Sequence, residues 1–204
     1  MSEPVRVTEI LNYFKEPWYI DWVHRLGRTE ANKIAKASMK VGSTVDEIIK
    51  SCPTHSDVWD TEWFTKKNSE EVRNCLTAYV KWESVYKPKS IVNGQRLYAT
   101  IEGYEVTGEP DIFVDDVLVD IKCAGKISPS YWIQVNMYEY LSYMNNPKQQ
   151  VYDYRKVGIL RLDKTTGSYE YVVKDYDANL VNVWCGLMRA VMYYKGEGNH
   201  GDEL

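Results

Sequence analysis

An α/β domain with a mixed β-sheet is the fold this sequence predicts. Apolar residues follow helical spacing up to about residue 89, and strand-like alternation takes over from Ser90 to Cys123. One helix, two strands and a last helix then follow. That order is not the regular strand–helix alternation of a doubly wound parallel fold, so a mixed sheet is expected. With 204 residues the chain has the length of one domain. It divides into a mostly helical part over 1–89, a sheet core with flanking helices over 90–195, and a polar tail over 196–204 that should fray.

Thr8 is placed to cap a first helix carrying Ile10, Leu11 and Phe14. A second helical stretch starts near Arg28 and runs through Ala31, Ile34 and Ala35. Gly42-Ser43-Thr44 then precedes Val45, Ile48 and Ile49 at helical spacing. Residues 51–65 read as irregular. A helix is predicted over 69–87, with Val72, Leu76, Tyr79, Val80 and Val85 as its apolar positions. In the strand-rich stretch, turns are expected at Asn93-Gly94 and Asp115-Asp116. The next helix spans about 129–144, with Ser128 at its N-cap and Pro129 at the first helical position. Residues 157–162 and 169–174 predict a hairpin around Thr166-Gly167, and the last helix covers about 177–194.

The composition, 44% hydrophobic and 26% charged, is that of a globular domain with room for a sizeable core. A net charge of −4 argues against a purely electrostatic nucleic-acid binder but allows a locally basic face. Candidates for that face are Lys33, Lys36 and Lys40, Lys66-Lys67, Lys87 and Lys89, and Lys122 with Lys126. The 17 tyrosines and seven tryptophans combine an apolar ring with a polar tip, which suits partly buried positions and wet grooves alike. No signal peptide and no long apolar run is visible, so no membrane association and a cytoplasmic location are expected. Cys52, Cys75, Cys123 and Cys185 form no CxxC pair, as reduced thiols would not, and His24, His55 and His200 fit no ligand spacing.

The chemistry concentrates in residues 108–123. Ile112-Phe113-Val114 and Val117-Leu118-Val119 flank Asp115-Asp116. If those two aspartates form the turn, 112 pairs with 119, and the next opposed pair is Asp111 with Asp120. Directly opposed residues have Cβ atoms roughly 4.5–5.5 Å apart, where like charges destabilise unless a cation lies between them. Magnesium, a hard ion that prefers oxygen ligands, suits such a pair. Lys122 is two residues from Asp120 and shares its face, while Val119, Ile121 and Cys123 point the other way, into a core. Two carboxylates and an ammonium on one face suit metal-assisted hydrolysis. The same spacing also fits a solvent-exposed hairpin with a polar face.

Pro110-Asp111 followed by Asp120-Ile121-Lys122 resembles the PD-(D/E)xK nuclease signature. Gln134-Val135-Asn136-Met137-Tyr138 resembles the QxxxY element of the branch containing RecB nuclease domains, Cas4 and the mitochondrial genome-maintenance exonuclease. Gln134 and Tyr138 are i,i+4 neighbours on the helix after the motif strand, where that branch carries them. In the same branch a glycine is followed four residues on by a metal-binding histidine, and here Gly42 is followed by Asp46. Asp46 is then either a hard oxygen ligand or, with Glu47, part of a capping box with Ser43 or Thr44. The stretch from Val7 to Phe14, with Trp18 and Trp22 after it, is similar to the opening of phage-type exonucleases. The resemblance covers about residues 5–195 and is densest over 108–138.

The resemblance implies a restriction-endonuclease-like core and a Mg²⁺- or Mn²⁺-dependent DNA nuclease. Asp111, Asp120 and Lys122 would be catalytic. Asp111, Asp120, the Ile121 carbonyl and Asp46 would hold metal, and Gln134, Tyr138 and Lys126 would bind substrate. An upstream family glutamate would be represented by Glu102 or by Glu109. The expected activity is exonucleolytic, on DNA ends or single strands, in recombination, repair or replication, with a partner protein from such a pathway. The helical N-terminal part would close over the sheet as a DNA channel whose Trp and Tyr residues stack on unpaired bases. A structure-selective or restriction-like endonuclease and a silent DNA-binding module of the same fold are the alternatives. Cas4 relatives hold an iron–sulfur cluster through cysteines clustered late in the chain, where this sequence has only Cys185, so no cluster is expected.

Overall fold

The structure, a computed structural model, describes residues 3–51, 69–145 and 155–197. The order of elements is β1 (Val5–Arg6), α1 (Val7–Tyr13), α2 (Pro17–Leu26), α3 (Arg28–Ser51), α4 (Glu70–Tyr86), β2 (Ile91–Asn93), β3 (Leu97–Ile101), β4 (Tyr104–Gly108), β5 (Ile112–Val114), β6 (Val117–Cys123), α5 (Pro129–Asn145), β7 (Lys156–Leu162), β8 (Tyr169–Asp175) and α6 (Ala178–Glu197). Ser51, expected to be irregular, ends α3; the rest of the expected irregular segment, 52–65, with Lys66-Lys67, Cys52, His55, His200 and most of the 196–204 tail, lies outside the described residues.

Five strands form the central sheet in the order β2-β5-β6-β7-β8, and β1-β4-β3 form a smaller one. The large sheet is mixed: β6 and β7 run parallel through the α5 crossover, and its other neighbours are antiparallel. Alternation on β6 divides two cores. Val117 and Val119, with Ile121 and Cys123 beside them, face α3 and α4, where Val41, Val45, Leu76 and Trp82 are buried. Leu118 faces the opposite layer with Met137, Leu141, Trp184 and Met188 from α5 and α6. Trp184 ties the chain start to that layer, its indole N–H donating to the Val7 carbonyl at 3.1 Å.

Several expectations change. α1 starts at Val7, so Thr8 is inside the helix and does not cap it. α2 was not foreseen as a helix. Gly42-Ser43-Thr44 does not interrupt α3, which runs unbroken from Arg28 to Ser51, so no capping box forms there. A glycine costs a helix about 1 kcal/mol, less than burial of the flanking Val41 and Val45 on one face returns. Val85, one of the apolar positions named for the 69–87 helix, is 71% exposed.

Asn93-Gly94 is not a hairpin turn, because β2 pairs with β5 and β3 pairs with β4, so this segment crosses between the two sheets. Gly94 serves a close approach: a Cβ there would lie 2.0 Å from the Pro110 carbonyl oxygen. The β3–β4 turn falls instead at Glu102-Gly103, both at positive φ. Asp115-Asp116 does form the two-residue turn, with Ile112 opposite Val119 and Val114 opposite Val117. The Asp115 carboxylate accepts from the backbone N–H groups of Lys89 and Ser90 and so fixes that end of the hairpin.

Candidate active site

The hairpin register brings Asp111 to the start of β6's polar face. Its Oδ2 accepts from the Ile121 N–H at 2.6 Å, so Ile121 enters the site through its amide. The Gly94 N–H donates to the Asp111 carbonyl at 2.9 Å and holds the backbone from the other side. Asp120, in the middle of β6, is only 1% exposed. Its Oδ1 accepts from Gln134 Nε2 at 3.0 Å, and the same amide nitrogen lies 3.0 Å from the Tyr138 hydroxyl. Lys122 Nζ forms an ion pair with Asp120 Oδ2 at 2.7 Å. The three motif side chains and the Gln134/Tyr138 pair, which the resemblance implied would act together, form one cluster.

Burial raises the carboxyls of both aspartates above their ordinary range. For Asp111 the Asp120 charge adds to that, and Lys122 opposes the shift at both. Burial pulls Lys122 down, but Asp120 and Asp111 outweigh it and hold the ammonium charged. The Lys122 ammonium also lies 5.2 Å from the centre of the Tyr131 ring. Gly108 lets Tyr138 approach: a Cβ at Gly108 would meet the tyrosine ring at 2.6 Å.

Asp46 is not drawn into this cluster. Its carboxylate pairs with Lys50 on the next turn of α3 at 3.1 Å, and it is partly exposed. It is near enough that its charge pushes both Asp111 and Asp120 up. Lys50 also donates to Glu109 at 3.2 Å, and Arg96 grips the second Glu109 oxygen at 2.9 and 3.1 Å. Sequence reasoning missed Lys50 and Arg96, whose shared partner Glu109 is distant from both in sequence, although Lys50 also pairs with Asp46 only four residues away. Of the two glutamates considered for the upstream position, Glu102 sits in a hairpin turn paired with Arg189, away from the site. Glu109 stands beside Asp111 in the chain and shares Lys50 with Asp46.

The donor set fits a divalent cation. Asp111 and Asp120 are two buried carboxyls side by side, both raised chiefly by burial, and hard oxygen donors of this kind suit such an ion. Among the described residues, no three His, Cys, Asp or Glu side chains converge, because Lys50 holds Asp46 aside.

A cleft of about 640 Å³ opens from Lys122 and Gln134 towards α1 and α2, lined also by Phe14, Trp18, Tyr19 and Tyr131. Glu16 bridges its walls. The carboxylate accepts from the Trp18 indole N–H and from the hydroxyls of Ser128 and Ser130 at the start of α5. Pro129 is the first α5 residue, as expected, but the Ser128 hydroxyl is engaged by Glu16. Lys126, expected at the substrate, packs its ammonium 4.8 Å from the Trp18 ring centre. Lys33, Lys36, Lys40, Lys87, Lys89 and His24 are exposed. Among the described residues, no helix is long and apolar enough to cross a membrane.

No protein-family profile and no curated protein sequence matches the chain. Among solved structures, it is similar to a candidate exonuclease from Eubacterium rectale at 16% identity and a TM-score of 0.51, over 77% of this chain and 65% of that one. The chain thus spans less than two thirds of that neighbour. A phage-related exonuclease from Haemophilus somnus 129PT aligns over 95% of this chain and 94% of that one, at 14% identity and a TM-score of 0.44. An alkaline exonuclease from Laribacter hongkongensis aligns over 60% and 69% respectively, at 16% identity and a TM-score of 0.35. The first match carries the fold assignment: the mixed α/β arrangement is restriction-endonuclease-like.

Proposed function

We propose that this chain is a metal-dependent DNA nuclease of the PD-(D/E)xK type, acting as an exonuclease on DNA ends or single strands. The observation that carries the reading is the buried Asp120, hydrogen-bonded to Gln134 and ion-paired to Lys122, with Asp111 anchored on the next amide of the same strand. The exonuclease description of the Eubacterium rectale protein of this fold points the same way.

Asp111 and Asp120 would hold a Mg²⁺ or Mn²⁺ ion, with the Ile121 carbonyl and, once freed from Lys50, Asp46 as further oxygen donors. Such an ion supplies polarisation of the scissile phosphate and neutralisation of its charge. Lys122, held as an ammonium, donates to the attacking water or to a phosphate oxygen and steadies the negative charge that develops there. Gln134 uses its amide to fix Asp120 and Tyr138, which supports a positioning role for that pair more than direct substrate contact.

The test is degradation of end-labelled linear DNA, single- and double-stranded, beside a closed circle, with Mg²⁺, Mn²⁺ or EDTA. Metal-dependent loss of linear DNA alone, abolished by Lys122→Ala, is the expected result. Cutting of the circle would replace exonuclease by endonuclease. Binding without cutting of any substrate would overturn the enzyme reading in favour of a silent DNA-binding module.

A further inference from the structure

Two thiols meet where α4 packs on the end of β6. Cys75 is fully buried on α4, and its thiol donates to the Leu162 carbonyl of β7 at 3.8 Å. Leu162 is the register partner of Cys123, the last residue of β6. The Cys75 side chain thus sits over the rung that Cys123 completes, and the Cys123 thiol donates to the Cys75 sulfur. Both belong to the core layer under α3 and α4, whereas Cys185 is buried in the layer on the other side of the sheet.

A buried cysteine is by itself an ordinary small core residue. This pair differs in two ways. The sulfurs are already neighbours, although their residues are far apart in sequence. Cys123 is also only half-buried, so solvent reaches one sulfur and not the other. An accessible thiol backed by a second one is the arrangement of an oxidisable cysteine and its resolving partner.

We propose that Cys75 and Cys123 form a reversible disulfide under hydrogen peroxide, a clamp of α4 on the end of β6 beside Lys122. The Cys123 sulfur attacks a peroxide oxygen, the O–O bond breaks, and one water leaves as a sulfenic acid forms. The Cys75 sulfur then attacks that sulfur and expels its hydroxyl as a second water. Two thiol hydrogens and two electrons pass to the peroxide, and one S–S bond is made. Cys123 follows Lys122 directly, and alternation sends the ammonium towards Asp120 and the thiol towards α4. The strand ends there, with the Ala124 N–H donating back to the Lys122 carbonyl at 3.1 Å. Sulfurs in contact must close to about 2.05 Å to bond, which draws on the backbone that carries Lys122. The disulfide goes beyond the nuclease reading and does not depend on it; only its effect on cleavage does. A shift of about 1 Å in a reacting group can cost on the order of 100-fold in rate, so the clamp slows hydrolysis.

The test treats the reduced, intact protein with hydrogen peroxide, removes the oxidant, and maps the cysteines by mass spectrometry after alkylation in denaturant. The expected product is one peptide pair joined through Cys75 and Cys123, released again by dithiothreitol. The oxidised protein should cleave linear DNA in Mg²⁺ roughly tenfold or more slowly than the reduced one, with the rate restored by dithiothreitol. Cys123→Ser, which leaves the buried Cys75 in place, should cleave like the reduced wild type and be indifferent to peroxide. Cys75 and Cys123 both free after treatment overturn the proposal. So does Cys123 carried on to a sulfinic acid, or joined to another cysteine, with Cys75 left free. A mapped Cys75–Cys123 link with an unchanged cleavage rate overturns the effect on Lys122 and leaves the disulfide standing. If neither form cleaves DNA, the nuclease reading fails, and the peptide map still decides the disulfide.

Discussion

Gln134 Nε2 lies 3.0 Å from Asp120 Oδ1 and 3.0 Å from the Tyr138 hydroxyl, so one amide ties α5 to the buried carboxylate of β6. Partners that orient a metal-binding group contribute roughly 10–100-fold to affinity or activity. Gln134→Ala should therefore weaken Mn²⁺ binding, measured by calorimetry, and slow cleavage by that order. An affinity and rate equal to wild type would show that Asp120 needs no such support.

Gly108 faces the Tyr138 ring with no room for a methyl group, since a Cβ would lie 2.6 Å from it. Gly108→Ala should destabilise the fold by about 1–3 kcal/mol in urea denaturation, as overpacking does. It should also slow cleavage, because the displaced ring drags the Gln134 contact with it. The double variant Gly108→Ala/Tyr138→Leu should recover part of the lost stability.

Burial raises the Glu139 carboxyl to about 7, against the weaker opposing pull of Arg155 at 3.8 Å. An unfolded glutamate titrates near roughly 4.3. Between these values the native state holds a proton that the unfolded state has released, so stability falls as pH rises through that window. Glu139→Gln should flatten this slope and stabilise the protein by about 1–3 kcal/mol at pH near 8, with no gain near pH 4. Urea denaturation across that range reads the effect directly.

Burial, and after it the charge of Asp120, raise the Asp111 carboxyl to about 7. Asparagine keeps an oxygen for the Ile121 N–H and removes the charge, while the Asp120–Lys122 pair survives. In EDTA at pH near 8, Asp111→Asn should melt higher than wild type, by the order of 1–3 kcal/mol of added stability. A lower melting temperature would mean that the carboxylate pair is not under repulsion.

The hairpin register was legible because Asp115-Asp116 sits between two short apolar, strand-forming runs, and a two-residue turn there opposes Ile112 to Val119. Gln134 and Tyr138 were legible from their likeness to the QxxxY element, with helical spacing putting them on one face, though not their target, Asp120, which depends on how α5 packs on β6. The i,i+4 spacing of Asp46 and Lys50 was a local signal, but Glu109, the partner that Lys50 shares with Arg96, arrives only when α3 and the small sheet close on the motif. Gly94 misled for a physical reason. A glycine in a turn and a glycine under a crossing backbone look alike in sequence, and here the Pro110 carbonyl demands it. Glutamate is an uncommon turn residue at positive φ, and Glu102 hid the β3–β4 turn for that reason.

The central claim is that Asp111 and Asp120 together hold the ion that cuts DNA. The cleavage rate of Asp111→Asn on end-labelled linear DNA in Mg²⁺ and in Mn²⁺ tests it most directly, with the variant's melting curve measured alongside. The account predicts a folded protein, at least as stable as wild type without metal, whose cleavage falls to the level seen in EDTA. Cleavage at the wild-type rate by that folded variant would contradict it.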